Sequence, residues 1–109
     1  MSKRNIYQGP RSCWARHEKV YVPGSGIDAK SASGILALIE KELRRGFTYD
    51  HSCRRVKMTP ALARKRAVYL VALAKKHKGA SEARRVAEIV RRWLLRGAVR
   101  RKVEAYAVA

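Results

Sequence analysis

Residues 59–79 read Thr-Pro-Ala-Leu-Ala-Arg-Lys-Arg-Ala-Val-Tyr-Leu-Val-Ala-Leu-Ala-Lys-Lys-His-Lys-Gly, and this stretch decides the fold class. Thr59 is suited to cap a helix, Pro60 fits the first helical position where its missing N–H costs nothing, and Gly79 is a natural stop. A helix over 60–78 follows. Its middle, Val68 to Ala74, is apolar around the whole circumference, which predicts burial on more than one side. A lone chain of 109 residues struggles to surround such a helix, because a domain this small buries only about two thirds of the surface its unfolded form exposes. Tyr69, Leu70, Val71 and Leu73 are therefore expected to take part in self-association.

Upstream, Ile35, Leu36, Ile39 and Leu43 recur at three- and four-residue spacing, the period of a helix with one apolar face. Asp28, Ser31 and Ser33 are candidate N-caps and Gly46 a candidate stop, so a first helix spans about 29–45. Lys41, Arg44 and Arg45 suit the negative end of its dipole. Residues 46–58 read as a loop holding an aromatic pair, a histidine, a cysteine and the Arg54-Arg55-Lys57 cluster.

Downstream, Ser81 is a candidate cap for a third helix to Arg96. Val86, Ile89, Val90, Trp93 and Leu94 share one face and Arg84, Arg85, Arg91, Arg92 and Arg96 the other. Beyond Gly97 the stripe of Val99, Val103 and Tyr106 is out of phase with the preceding one. The helix is expected to bend there or to meet a different partner, and these three residues join the self-association set. Val20-Tyr21-Val22 has no second strand to pair with and reads as extended chain. The expected architecture is all-α: a helical domain over 29–109, about three helices with the last bent at Gly97, behind an extended basic and aromatic arm over 1–28.

Charge points to the partner. The chain has 26 Lys and Arg against 8 Asp and Glu, a net charge of +18. The excess is uneven, about +4 in residues 1–53 and +14 in residues 54–109. Charge of one sign at this density repels itself unless a polyanion neutralises it, and nucleic acid is the leading choice. Arginine outnumbers lysine 16 to 10, and its planar fork matches phosphate oxygens in a bidentate way. The expected phosphate contacts are Arg84, Arg85, Arg91, Arg92 and Arg96 along the third helix, helped by Arg54, Arg55, Arg64 and Lys65. In the arm, Lys3, Arg4, Arg11 and Arg16 alternate with Tyr7, Trp14 and Tyr21, a mixture that can follow a backbone and stack on bases. The competing expectation is that these rings pack onto the domain.

Catalytic chemistry finds little support. The eight carboxylates form no convincing pair, Gly24-Ser25-Gly26 is too short for a phosphate-cradling loop, and no acid cluster suggests metal-dependent nuclease chemistry. The chain is expected not to be an enzyme and to need no cofactor. Cys13, His17, His51 and Cys53 are a weak candidate zinc set, since C-x3-H and H-x-C match no finger pattern. A Cys13–Cys53 disulfide and two unrelated free thiols are the alternatives. Asn5 and Gln8 are the chain's two amide side chains, a balance suggesting a thermophilic source. No stretch has the length or apolarity of a membrane span and the N-terminus lacks a secretory h-region. The expected location is intracellular or inside a virion.

The partner readings differ in kind. The first is a packaging protein that coats double-stranded DNA without regard to sequence and assembles through its apolar surfaces. In gross plan, a basic arm followed by a small helical domain with a self-associating helix, the chain resembles nucleocapsid proteins of filamentous archaeal viruses. That resemblance is architectural and implies a DNA-coating homo-oligomer. The alternative is a ribosomal protein whose arm threads ribosomal RNA. A helix-turn-helix regulator fits less well, because the third helix has no Asn or Gln to read adenine. A membrane-surface helix is the weakest reading, since its apolar face is more simply core.

Overall fold

The computed structural model describes residues 13–18, 26–50 and 52–96. Its elements are α1 (Cys13–Glu18), α2 (Ala29–Arg45), β1 (Phe47–Tyr49), β2 (Arg55–Lys57), α3 (Pro60–Lys78) and α4 (Ala80–Leu95). Three long helices carry the architecture, and among the described residues the fold is all-α apart from one small hairpin.

The helix limits follow from local chemistry. Asp28 caps α2 by accepting from the Ser31 amide at 2.8 Å, and the Ser31 hydroxyl accepts from the Asp28 amide at 3.0 Å, a reciprocal capping box. These contacts, led by the Ser31 amide, hold the Asp28 carboxyl below its ordinary value. Gly46, at φ 90°, ends the helix by donating its N–H to the Glu42 carbonyl, a left-handed cap that favours glycine. Thr59 caps α3 by accepting from the Leu62 amide at 3.1 Å, with Pro60 in the first turn. At the other end a single residue, Gly79 at φ 97°, both closes α3 and precedes α4. The third long helix thus begins at Ala80, with Gly79 in the cap position where Ser81 was expected. A one-residue reversal leaves no room for a separate side-chain cap.

The core is where α2, α3 and α4 meet. Ala32, Ile35, Leu36, Ile39 and Leu43 face Ala63, Ala67, Leu70, Leu73 and Ala74, with Ala83, Val86, Val90 and Trp93 completing the cluster. Leu70 and Leu73 are therefore taken up by the chain's own core, which corrects their assignment to a self-association surface. In a straight helix they lie on the face opposite Val68 and Ala72. The three buried alanines of α3, Ala63, Ala67 and Ala74, bring the backbones close, so the core needs one face of α3 and leaves Val68 and Tyr69 on the other exposed.

Two local elements depart from expectation. Residues 46–58 form a hairpin and not an open loop, pairing Phe47 with Lys57, Thr48 with Val56 and Tyr49 with Arg55. Asp50 closes its turn, its carboxylate accepting from the amides of Ser52 and Arg54, both at 2.9 Å, an Asx-type turn. Within the arm, Cys13–Glu18 is helical, and Trp14 and Ile27 are both buried in the core cluster. Trp14 is thus packed against the domain and is not available to stack on a base. The remainder of the arm, residues 1–12 and 19–25, and the expected bend at Gly97 lie outside the described residues.

Gly26 shows why the arm joins the domain where it does. It is buried at φ +104°, and a Cβ placed there would lie 2.4 Å from the His77 Cβ. His77 thus serves as the surface on which the chain entering α2 is seated. Replacing Gly26 with Ala adds a backbone conformation disfavoured for L residues to a steric overlap, and should cost about 2–4 kcal/mol. A urea titration checks this, the midpoint moving down without a change in slope.

Candidate nucleic-acid interface

The arginine face of α4 is exposed and partly paired within the chain, four of its five arginines sharing three carboxylates. Arg91 donates to both Glu88 carboxylate oxygens, at 2.6 and 3.1 Å, and Arg92 Nε donates to one of them at 3.1 Å. Arg91 first, then Arg92, hold the Glu88 carboxyl down to about 2. Arg85 lies 4.0 Å from Glu82, and Arg96 reaches 3.9 Å from Glu40 on α2. Of the five arginines expected to meet phosphate here, Arg84 alone has no carboxylate partner among the described residues. Glu82 has a further duty, accepting from the Ala29 amide at 2.8 Å. It ties the start of α2 to α4.

The outer face of α3 is different. The helix carries six Lys and Arg and no acidic residue. Arg66 turns inward, donating to Thr48 Oγ1 at 2.8 Å and to the Tyr49 carbonyl at 3.0 Å, with its guanidinium 4.6 Å from the Trp14 ring centre. Arg64, Lys65, Lys75 and Lys76 are exposed, and none of them pairs with a carboxylate among the described residues. From Arg64 to Lys76 is about 18 Å at 1.5 Å per residue. Between these cation pairs stand Val68, 49% exposed, and Tyr69, 54% exposed, with Val71 half-buried beside the core.

The hairpin adds a second cationic group. Two guanidinium groups lie against the Phe47 ring, Arg45 at 4.2 Å and Arg55 at 3.8 Å from its centre, a cation–π contact that holds Arg55 while leaving it exposed. Arg54 is exposed and lies 3.6 Å from Asp50. Arg16 belongs to α1, whereas Lys3, Arg4, Arg11, Val99, Val103, Tyr106 and His51 lie outside the described residues.

Behind the hairpin lies a buried polar cluster the sequence did not announce. Glu42 is fully buried. Its Oε2 accepts from Trp14 Nε1 at 2.8 Å and from the Thr48 hydroxyl. The guanidinium groups of Arg45 and Arg66 each lie 3.7 Å from its carboxylate, and Glu18 pairs with Arg45. Burial is the largest influence on the Glu42 carboxyl and pushes it above its ordinary value, outweighing the hydrogen bonds from Thr48 and Trp14. The cluster binds α1, α2, β1 and α3 together, so it has a structural duty and does not form an open site.

The metal expectation has a specific outcome at Cys53. That residue is disulfide-bonded, and none of the described cysteines is free. A sulfur held in a disulfide is not the thiolate that zinc requires. His17 stacks on Tyr49 at 4.0 Å. Among the described residues no group of three metal-ligating side chains comes together, and no helix is long and apolar enough to cross a membrane.

Comparison of the chain with protein-family models, curated proteins and solved structures returned no match.

Proposed function

We propose that this chain is a non-enzymatic packaging protein that coats double-stranded DNA through sequence-independent contacts to phosphate, as part of a self-assembling nucleoprotein. The observation that supports this reading is the outer face of α3, four exposed cations over about 18 Å with no carboxylate partner among the described residues. A solvated face of a soluble protein mixes its signs, as α4 does. A face that keeps one sign is built to receive the other.

In this reading α3 makes the primary contact, and Arg84, Arg55 and the arm extend it. Arg91 and Arg92 must leave Glu88 before they can meet phosphate. Replacing Glu88 with Gln frees both guanidinium groups and should tighten binding to duplex DNA several-fold, checked by fluorescence anisotropy. Self-assembly falls to Leu95, 54% exposed at the end of α4, and to the segment beyond it with Val99, Val103 and Tyr106.

The test is a titration of duplexes of increasing length, followed by light scattering. Protein bound per duplex that rises in proportion to length, irrespective of sequence, with large assemblies forming, supports coating. Tight one-to-one binding to a structured RNA, with duplex DNA released at moderate salt, assigns the chain to the ribosomal reading instead.

A further inference from the structure

Among the described residues Tyr69, 54% exposed, is the most exposed Phe, Tyr or Trp ring, and its setting is specific. One turn before it on α3 stand Arg64 and Lys65, and about two turns after it Lys75 and Lys76. Val68 stands at its side, and Ala72 leaves the next turn low. The face is therefore an apolar ridge with a cation pair at each end.

Two copies of this face make a poor match. Docking them would set a Lys and Arg pair of one copy against a pair of the other at each end of the ridge, within about one Debye length, roughly 8 Å at physiological salt, with no acidic residue on either α3 to offset them. The occupant must be anionic at the edges and apolar between. A DNA duplex has that chemistry: phosphates line both rims of a groove, and stacked base faces lie between them once a step is opened. Side chains that wedge into a base step from the minor groove exploit this geometry, with cations on either side holding the backbone.

We infer that Tyr69, supported by Val68, wedges into a base step of the duplex while Arg64, Lys65, Lys75 and Lys76 hold the flanking phosphates, so that coating unwinds the DNA. This rests on the DNA-coating reading and adds a deformation to it. A ring partly unstacking each bound step also removes any need for base hydrogen bonding, and α3 has no Asn or Gln to supply it.

The experiment is relaxation of closed circular DNA by a topoisomerase in the presence of the protein, followed by removal of protein and resolution of the topoisomers. The wild-type chain shifts the linking number in proportion to protein bound. Tyr69→Ala removes that shift and weakens binding about 10-fold, the loss of one stacked ring, while the salt dependence stays that of the wild type. Tyr69→Phe keeps the ring and keeps the shift. Because Tyr69 is exposed, both variants should melt with the wild type. An unchanged shift in Tyr69→Ala overturns the wedge. So does conversion of a DNA-free oligomer to monomer by Tyr69→Ala, which would make the ridge a contact between copies. Wild-type protein that coats DNA without shifting the linking number defeats the wedge alone. Wild-type protein that fails to bind duplex defeats the coating reading with it.

Discussion

Replacing Glu42 with Ala should destabilise the fold by about 3–5 kcal/mol, the cost of breaking a buried charged network from one side. Two buried donors, Trp14 Nε1 and the Thr48 hydroxyl, lose the oxygen they share. Each orphaned donor costs about 1–3 kcal/mol. Arg66 keeps Thr48 and the Tyr49 carbonyl, and Arg45 keeps Glu18, so the arginines are left partly paired and the damage falls on the donors. For a small domain with about 5–15 kcal/mol of total stability, this is a large share. Thermal and urea unfolding both report it. Because Trp14 is anchored through this carboxylate, the substitution should also release α1 and change the environment sensed by tryptophan fluorescence.

Glu42→Gln retains an acceptor oxygen for both donors and should cost much less, about 1 kcal/mol. It separates charge from shape through pH. Burial raises the Glu42 carboxyl above 4.5 in the folded state, so between that raised value and 4.5 the native chain binds a proton that the unfolded chain does not. Stability from this group therefore rises as pH falls through that window, and declines as pH rises through it. Asp28 and Glu88, held below their ordinary values, act with the opposite sign and lose their contribution at lower pH. The difference between wild type and Glu42→Gln isolates the buried carboxyl. Relative to the Gln variant, the wild type should gain stability as pH is lowered from neutral towards 4.5, with Glu18, Arg45 and Arg66 the charged groups facing it.

The long helices were legible because their limits are set by neighbours in sequence. Asp28 with Ser31, Thr59 with Pro60, and the two glycines at 46 and 79 act within a few residues of themselves. The hairpin was not, because strands of three residues joined through Asp50 carry little local signal. Thr48 is held by contacts to Glu42 and Arg66, residues on two different helices. The arm hid α1 for the same reason: Trp14 is fixed by a carboxylate 28 positions away. The burial of Leu70 and Leu73 needed the phase of α3, which the run of apolar residues from Val68 to Ala74 conceals and which Ala63 and Ala67 reveal once the packing is seen.

The candidate interface shows a different kind of gap. Five arginines on one face of α4 drew attention by number, yet Glu88 sits three and four positions before Arg91 and Arg92, the spacing at which helix side chains meet. Glu82 stands likewise before Arg85. The pairing was written in the sequence, and counting like charges passed over it. Lys75 and Lys76 close the quoted stretch of α3, but their place on one face with Arg64 and Lys65 depends on which side of the helix the core occupies. Location of unpaired charge, more than its total, separates α3 from α4.

Charge on α3 should therefore dominate the binding of DNA, and its removal has the largest effect expected of any change to the interface. Each phosphate neutralised contributes about 0.9 to the slope of log affinity against log salt. Replacing Arg64, Lys65, Lys75 and Lys76 together with Gln should weaken duplex binding by about 100- to 1,000-fold near 0.1 M salt and flatten that slope by about 3 to 4. All four side chains are exposed and without carboxylate partners among the described residues, so the fold should tolerate the change. The parallel variant Arg91→Gln with Arg92→Gln should flatten the slope by less than about one, since Glu88 already occupies both groups. The deciding measurement is this slope, taken from 50 mM to 300 mM salt on one duplex for wild type and both variants. A large loss of slope confined to the α3 variant is the predicted result. An α3 variant with the wild-type slope, or a loss carried by the Arg91 and Arg92 variant instead, would contradict it.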